Sequence, residues 1–238
     1  MRDVAVLADV HGNLPALEAV LAEPDVAAAE LIVVAGDAVS GPMPAECLDL
    51  LVTLGDRVRF VRGNADRAVL VAEEEHGAAW CAERLGPDRL TLLRDWPLTL
   101  SLELDGLGSV LFCHATPRSD EEIVTRITPE ADLVEVLDDV HERLVVCGHT
   151  HVQFDRSAGG TRLVNAGSVG MPYEGRRGAF WLLLGPAVEH RATEYDAEAG
   201  ATAIRATQWA TADELAGWLE QPPDPVEVTA YFESLRGA

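Results

Sequence analysis

The chain contains no lysine. All 18 of its basic residues are arginines, set against 40 carboxylates for a formal net charge of −22. Affinity for nucleic-acid backbones and anionic lipid rests on clustered cations, so this balance argues against nonspecific binding to either. No CxxC spacing joins the four cysteines, Cys47, Cys81, Cys113 and Cys147. Cys113 and Cys147 each end an apolar run, as buried reduced thiols do, and packing is the expectation for all four ahead of disulfide or metal ligation. No apolar run approaches the roughly 20 residues that span a bilayer. The first residues lack the basic segment and the Ala-x-Ala site of a secretory signal and read as a first strand. No Gly-x-Gly-x-x-Gly follows that strand, which sets aside a dinucleotide fold. No Gly-x-Ser-x-Gly elbow surrounds Ser168, which reads as a turn residue and not as a nucleophile. Repeats and low-complexity segments are absent too. What these absences leave is a soluble, cytoplasmic, globular protein of 238 residues, 48% of them hydrophobic, long enough to bury a full core.

The stretch Val4–Asn13 organises what is present. Val4–Ala8 is a short strand with both faces apolar, as in a sheet covered on both sides, and it runs directly into Asp9. Leu14, Leu17, Val20 and Leu21 repeat at helical spacing, with Pro24 expected to close that helix. A second buried strand over 31–37 again ends in a carboxylate, and a third over 58–64 ends in Gly63-Asn64. Strands alternating with helices predict right-handed βαβ units and a largely parallel sheet. Residues 65–95 are helical in pattern, interrupted at Gly77 and at Gly86-Pro87. Later the pattern shifts to hairpins around Asp105-Gly106, Gly159-Gly160 and Gly185-Pro186. The fold class expected is therefore mixed α/β (α+β), two packed mixed sheets flanked by helices. Residues 1–195 carry the strands, and 196–238 form a C-terminal helical extension of the same domain, broken by Pro222, Pro223 and Pro225.

The chemistry collects at strand ends: Asp9, His11, Asp37, Asn64, His114, His149 and His151. Singly, a buried histidine is a satisfied core residue and an Asp at a strand end is a cap. Seven such residues on successive strands share one simpler explanation, a cluster of metal ligands. The count exceeds one tetrahedral site and fits two adjacent divalent ions about 3.5–4 Å apart. Oxygen and imidazole donors without thiolate suit Mn, Fe, Zn, Co or Ni. Two carboxylates against two divalent ions leave a locally positive centre, able to bind phosphate despite the acidic chain.

The order Asp9-x-His11-Gly12-Asn13, Gly36-Asp37, Gly63-Asn64-x-Asp66, a strand-ending His114 and Gly148-His149-Thr150-His151 resembles the calcineurin-like metallophosphoesterase superfamily. The segments around 36–44, 113–118 and 165–172 resemble its small prokaryotic phosphodiesterase-like branch. The resemblance implies that Asp9, His11 and His151 hold one metal, that Asn64, His114 and His149 hold the other, and that Asp37 bridges them. Manganese is the preferred ion, and the reaction expected is attack of a metal-bridging hydroxide on a phosphate ester of a small substrate, a nucleotide included. One position departs from the pattern: Ala65 stands where many members carry the histidine proposed as general acid. General acid–base help is worth about 10²–10⁴-fold, so poor leaving groups suffer most and a diester with a good one least. His76, a dozen residues on, reads as a helix-surface residue and not as a replacement. The function expected is a two-metal phosphodiesterase, with a nucleotide or phosphoprotein monoesterase and a non-catalytic scaffold of the same fold as alternatives. Among the nearby arginines Arg62, Arg67, Arg118, Arg176 and Arg177, Arg118 and Arg67 are, with Asn13, the candidates for binding substrate. His141 and His190 read as surface residues.

Overall fold

The computed structural model describes residues 1–74 and 77–236. Two five-stranded sheets pack face to face. The first, in the order β10-β9-β1-β2-β3, contains β1 (Val4–Leu7), β2 (Leu31–Ala35), β3 (Val58–Val61), β9 (Ala179–Leu184) and β10 (Val188–Thr193). The second, β4-β5-β6-β8-β7, contains β4 (Thr99–Leu104), β5 (Gly108–Cys113), β6 (Leu144–Cys147), β7 (Phe154–Ala158) and β8 (Thr161–Asn165). Strands β1, β2 and β3 run parallel, as do β5, β6 and β8, whereas the hairpins β4-β5, β7-β8 and β9-β10 are antiparallel. The expected mixed double sheet is thus the fold.

The period of two along β1 explains why both of its faces are apolar. Val4, Val6 and Ala8 point into the layer between the sheets, where they meet Val110, Phe112, Val146 and Val164. Ala5 and Leu7 point the other way, into the core beneath α1 (Leu14–Leu21) and α3 (Pro44–Val52). On the far side of the second sheet, Cys113, Val145 and Cys147 pack against Leu133 and Val136 of α6 (Glu130–Val136). All four cysteines are buried and unpaired. Pro24 does not merely close α1: it sits in the first turn of a further short helix, α2 (Pro24–Ala28), where its missing N–H costs nothing.

α4 (Asn64–Leu70) and α5 (Ala78–Arg94) fill the helical region, and α5 bends where Gly86 takes φ +71° ahead of Pro87. The tail forms α7 (Ala197–Arg205), α8 (Ala212–Glu220) and α9 (Pro225–Leu235). Ala201, Ile204, Leu215, Ala216 and Leu219 place α7 and α8 on the helix-side core of the first sheet. No described helix is long and apolar enough to cross a membrane.

Candidate metal centre

Every ligand candidate lies just beyond the carboxyl end of a parallel strand: Asp9 and His11 after β1, Asp37 after β2, Asn64 after β3, His114 after β5, and His149 and His151 after β6. At these ends the two sheets open a shared crevice. The chain turns sharply to aim the side chains into it. Asp9, His11, Asp37, His149 and His151 all adopt left-handed backbone, with φ of 53°, 45°, 52°, 71° and 58°. Such conformations cost of order 1–3 kcal/mol each and persist where the surroundings over-determine them. Here the loops are laced together: Asp9 N–H donates to the Gly36 carbonyl at 3.0 Å, His11 N–H to Asp37 at 2.9 Å, and Gly148 N–H to His114 at 2.8 Å. Glycine is required where backbone passes close to the candidate ligands. A Cβ on Gly36 would lie 2.3 Å from the His114 ring, and one on Gly148 would lie 2.4 Å from an Asp9 carboxylate oxygen.

The histidines are held in defined tautomers. Nδ1 of His11, His114 and His151 donates to the carbonyls of Ser40, Ala35 and Met171 at 3.1, 3.0 and 2.7 Å. A carbonyl only accepts, so each ring carries a proton on Nδ1 and turns Nε2 toward the centre. His149 is held the opposite way, donating from Nε2 to the Glu121 carbonyl at 3.2 Å, which leaves Nδ1 as its lone-pair nitrogen.

Potential ligand atoms therefore crowd together. The Nε2 atoms of His11 and His151 are 3.2 Å apart, His151 Nε2 is 3.2 Å from Asp9 Oδ1, and His114 Nε2 is 3.0 Å from Asn64 Oδ1 and 3.3 Å from Asp37 Oδ2. Ligand atoms crowd like this around a cation, and oxygen with imidazole nitrogen is the donor set of a divalent transition metal. The residues fit the metal. The field there calls for positive charge: against the effect of its burial, the Asp37 and Asp9 carboxylates pull His114 up to about 10, so that its Nε2 carries a proton that a bound cation would displace. Burial and the neighbouring His114 push His149 down to about 4. Burial would raise Asp37, but the surrounding imidazoles hold it well below the usual carboxylate range.

Asp9, His11 and His151 form one compact group, with ligand atoms within 4.8 Å of one another, and Asp9, Asp37 and His114 form a second. Asp9 thus belongs to both. Asp37 also faces both sides, with Oδ2 at 3.7 Å from His11 and 3.3 Å from His114. Asn64 joins the second group through His114. His149 stands beside it, its ring centroid 5.1 Å from that of His114 and its backbone N–H on the Asp9 carboxylate.

The other candidates sit differently. Asn13 is fully buried as the N-cap of α1, accepting from Ala16 N–H and donating to the Gly170 carbonyl. Arg118 pairs with Glu122 and Glu135 and lines a separate cavity with Pro117 and Val136. Arg67 binds Asp120 and Glu121 at 2.8 and 2.7 Å and lines a small cavity of about 180 Å³ next to Asn64 and Ala65. Arg177 ties its loop to α8 through the Glu220 carbonyl, and Arg176 lies over the Phe180 ring. The Arg62 guanidinium has a buried Nε with no partner among the described residues. Ser168 is buried and structural, donating to the Asp9 carbonyl and accepting from Met171 N–H. His141 and His190 are exposed, and His76 lies outside the described residues.

Two features escape sequence reasoning: the role of Asp66, named there only within the Gly63-Asn64-x-Asp66 motif, and the aromatic cover of the site. Asp66 is fully buried and accepts from the backbone N–H groups of Asp37, Ala38, Val39 and Gly63 at 2.8–3.1 Å, which fixes the loop that carries Asp37. Its place in the third position of α4, reaching back to Gly63, is the signal that could have shown it. Burial and the nearby Asp37 charge push its pKa up to about 7. The second is a cavity of about 520 Å³ over the ligands, roofed by Trp218 of α8 and by Tyr231 and Phe232 of α9. Four aromatic residues in the last thirty of a chain only 5% aromatic were the available hint.

A profile of the calcineurin-like phosphoesterase superfamily domain matches residues 1–184. The uncharacterized protein MJ0912 of Methanocaldococcus jannaschii is 31% identical over 198 residues, covering 72% of this chain and 78% of the relative. Among solved structures, a metallophosphoesterase from Sphaerobacter thermophilus superposes with TM-score 0.75 at 24% identity, covering 92% of this chain and 98% of its own. The hypothetical protein PH1004 from Pyrococcus horikoshii OT3 gives 0.79 at 20% identity, covering 94% and 100%. These two show the same fold. Their overlap extends past residue 184, so it takes in part of the C-terminal region.

Proposed function

The chain belongs to the calcineurin-like phosphoesterase superfamily, whose members are metal-dependent hydrolases of phosphoric esters, and we propose that within it the protein is a two-metal phosphodiesterase acting on a small phosphate ester. The observation that carries this reading is the convergence of ligand atoms from Asp9, His11, Asp37, Asn64, His114 and His151 within hydrogen-bonding distance of one another. Asp9, His11 and His151 would hold one ion, and Asn64, His114 and His149 the other, with Asp37 between them; manganese is the preferred metal. Such ions, when bound, lower the pKa of coordinated water and clamp the oxygens of an in-line displacement at phosphorus. The chain's own part is to orient the imidazoles through their outer nitrogens and to keep the carboxylates ionised.

Diesters are favoured because nothing at position 65 protonates a leaving group. Ala65 lines the cavity with a methyl where a general acid would stand. The buried, unpaired cysteines support a cytoplasmic setting.

The test is hydrolysis of bis(p-nitrophenyl) phosphate against p-nitrophenyl phosphate by metal-stripped protein and by protein reloaded with Mn²⁺. Turnover that needs the metal, favours the diester and vanishes in His114→Ala is expected. Metal binding with no turnover of either ester would favour a scaffold, and faster monoester turnover a monoesterase.

A further inference from the structure

The cavity over the ligands has a polar floor and aromatic walls, and the walls grow directly out of the floor. The His151 ring stacks on Tyr173 with centroids 4.8 Å apart and planes 25° from parallel, and Tyr173 meets Trp218 of α8 edge-on at 5.6 Å. On the other side, the His149 ring lies 6.3 Å from Phe232 of α9, which lies 6.0 Å from Tyr231. Two files of rings thus rise from two ligand histidines and enclose about 520 Å³. That volume admits a ring system and one phosphate group, within the usual range for small-ligand sites. Aromatic walls at this spacing favour a flat apolar group, which they contact by stacking and edge-to-face packing.

The charges in the same cavity set a second requirement. Its charged lining away from the ligands is Glu121 and Glu214, and no described lining residue is an arginine. The nearest candidate cation, Arg67, lies in the adjoining small cavity between Asp120 and Glu121, outnumbered by its own partners. A phosphate beyond the one on the metal ligands would therefore meet carboxylates and rings instead of guanidinium.

We propose that this cavity selects a phosphodiester bearing a planar, uncharged aromatic substituent and a single phosphate, with Tyr173, Trp218, Tyr231 and Phe232 as the specificity-determining side chains. This rests on the phosphodiesterase reading above and names the substrate class for it. It gives the C-terminal helices a role: α8 and α9 supply three of the four rings.

Binding separates this proposal from catalysis. Diphenyl phosphate and diethyl phosphate carry the same charge and differ in the flat groups, and both can be titrated calorimetrically into the Mn²⁺-loaded protein. Diphenyl phosphate is expected to bind about 10-fold more tightly at one site, and the ratio to fall to about 3-fold or less in Phe232→Ala and in Tyr231→Ala. Tyr231 is 61% exposed, so Tyr231→Ala decides the matter if Phe232→Ala does not fold. Diadenosine tetraphosphate, with aromatic bases but four phosphates, is expected to bind more weakly than diphenyl phosphate. Equal affinity for the two diesters, a ratio unchanged in both variants, or tighter binding of the tetraphosphate would overturn the proposal. A preserved aryl preference in protein that hydrolyses neither p-nitrophenyl ester would instead overturn the phosphodiesterase reading and leave the aromatic pocket standing. Hydrolysis of the diester without aryl preference would do the reverse.

Discussion

Asp66 touches no reacting group, yet it is the residue on which the position of Asp37 depends most directly. Four backbone N–H groups converge on its carboxylate, two of them on the residues immediately after Asp37. In Asp66→Ala these donors are left buried and unpaired, which should cost roughly 3 kcal/mol or more, read as a lower urea midpoint with unchanged slope. Mn²⁺ affinity should fall with it, because Asp37 loses its anchor. Ala65, the neighbouring residue, offers the opposite experiment. It is partly exposed, lines the cavity beside Asn64, and uses only its backbone N–H, on Asp37 Oδ1 at 2.9 Å. Ala65→His should therefore fold normally and raise turnover of p-nitrophenyl phosphate by about 10-fold or more, approaching the range typical of general acid catalysis, with a new ionisation in the pH–rate profile. No gain would mean that the geometry around position 65 has no place for the acid.

At the scale of elements, α9 is the least embedded part of the roof. It buries Thr229 and is fastened by polar contacts: the Glu233 carboxylate accepts from Thr125 Oγ1 at 2.6 Å and from Thr128 Oγ1, and Arg236 pairs with Asp132 at 2.7 Å. Removing that carboxylate in Glu233→Ala should speed amide exchange over residues 225–235 by on the order of 10-fold or more while leaving the global unfolding midpoint almost unchanged, since α7, α8 and the sheets keep their core. The elements were well marked in the sequence where local physics decides them. The buried strands, the hairpin at Asp105-Gly106 and the break at Gly86-Pro87 all follow from periodicity and turn chemistry. The candidate ligands were legible for the same reason, since each follows directly on such a strand. The roof was not, because α8 and α9 meet the ligands only through tertiary contacts such as His149 with Phe232, separated by 83 positions of chain. Arg118 and Arg67 looked like phosphate ligands because they follow His114 and Asn64, but carboxylates close at hand in space, Glu122 and Asp120, occupy them. Pro24 reads as a stop or a start by the same chemistry, and only packing chose the start.

For the molecule as a whole, a net charge of −22 in 238 residues works against compactness. The exposed ion pairs, such as Arg89 with Asp49 and Arg162 with Asp155, are worth little singly and offset only part of that repulsion. Raising NaCl from about 20 mM to about 300 mM should screen it and increase Tm by about 2–4 °C for each kcal/mol relieved, measured on metal-stripped protein. A Tm that falls with salt would show that the ion pairs outweigh the repulsion. The placement of β1 has a consequence in time. Its backbone is sandwiched between β2 and β9, and Val4 pairs with both Leu31 and Leu184. A chain synthesised as far as His151, and so through all seven candidate ligands, still lacks β9, which pairs with the other edge of β1. Pairings across so long a stretch of chain form slowly and late. β1 is thus among the last strands to be enclosed, and the candidate metal centre that follows it is complete only once β9 is in place.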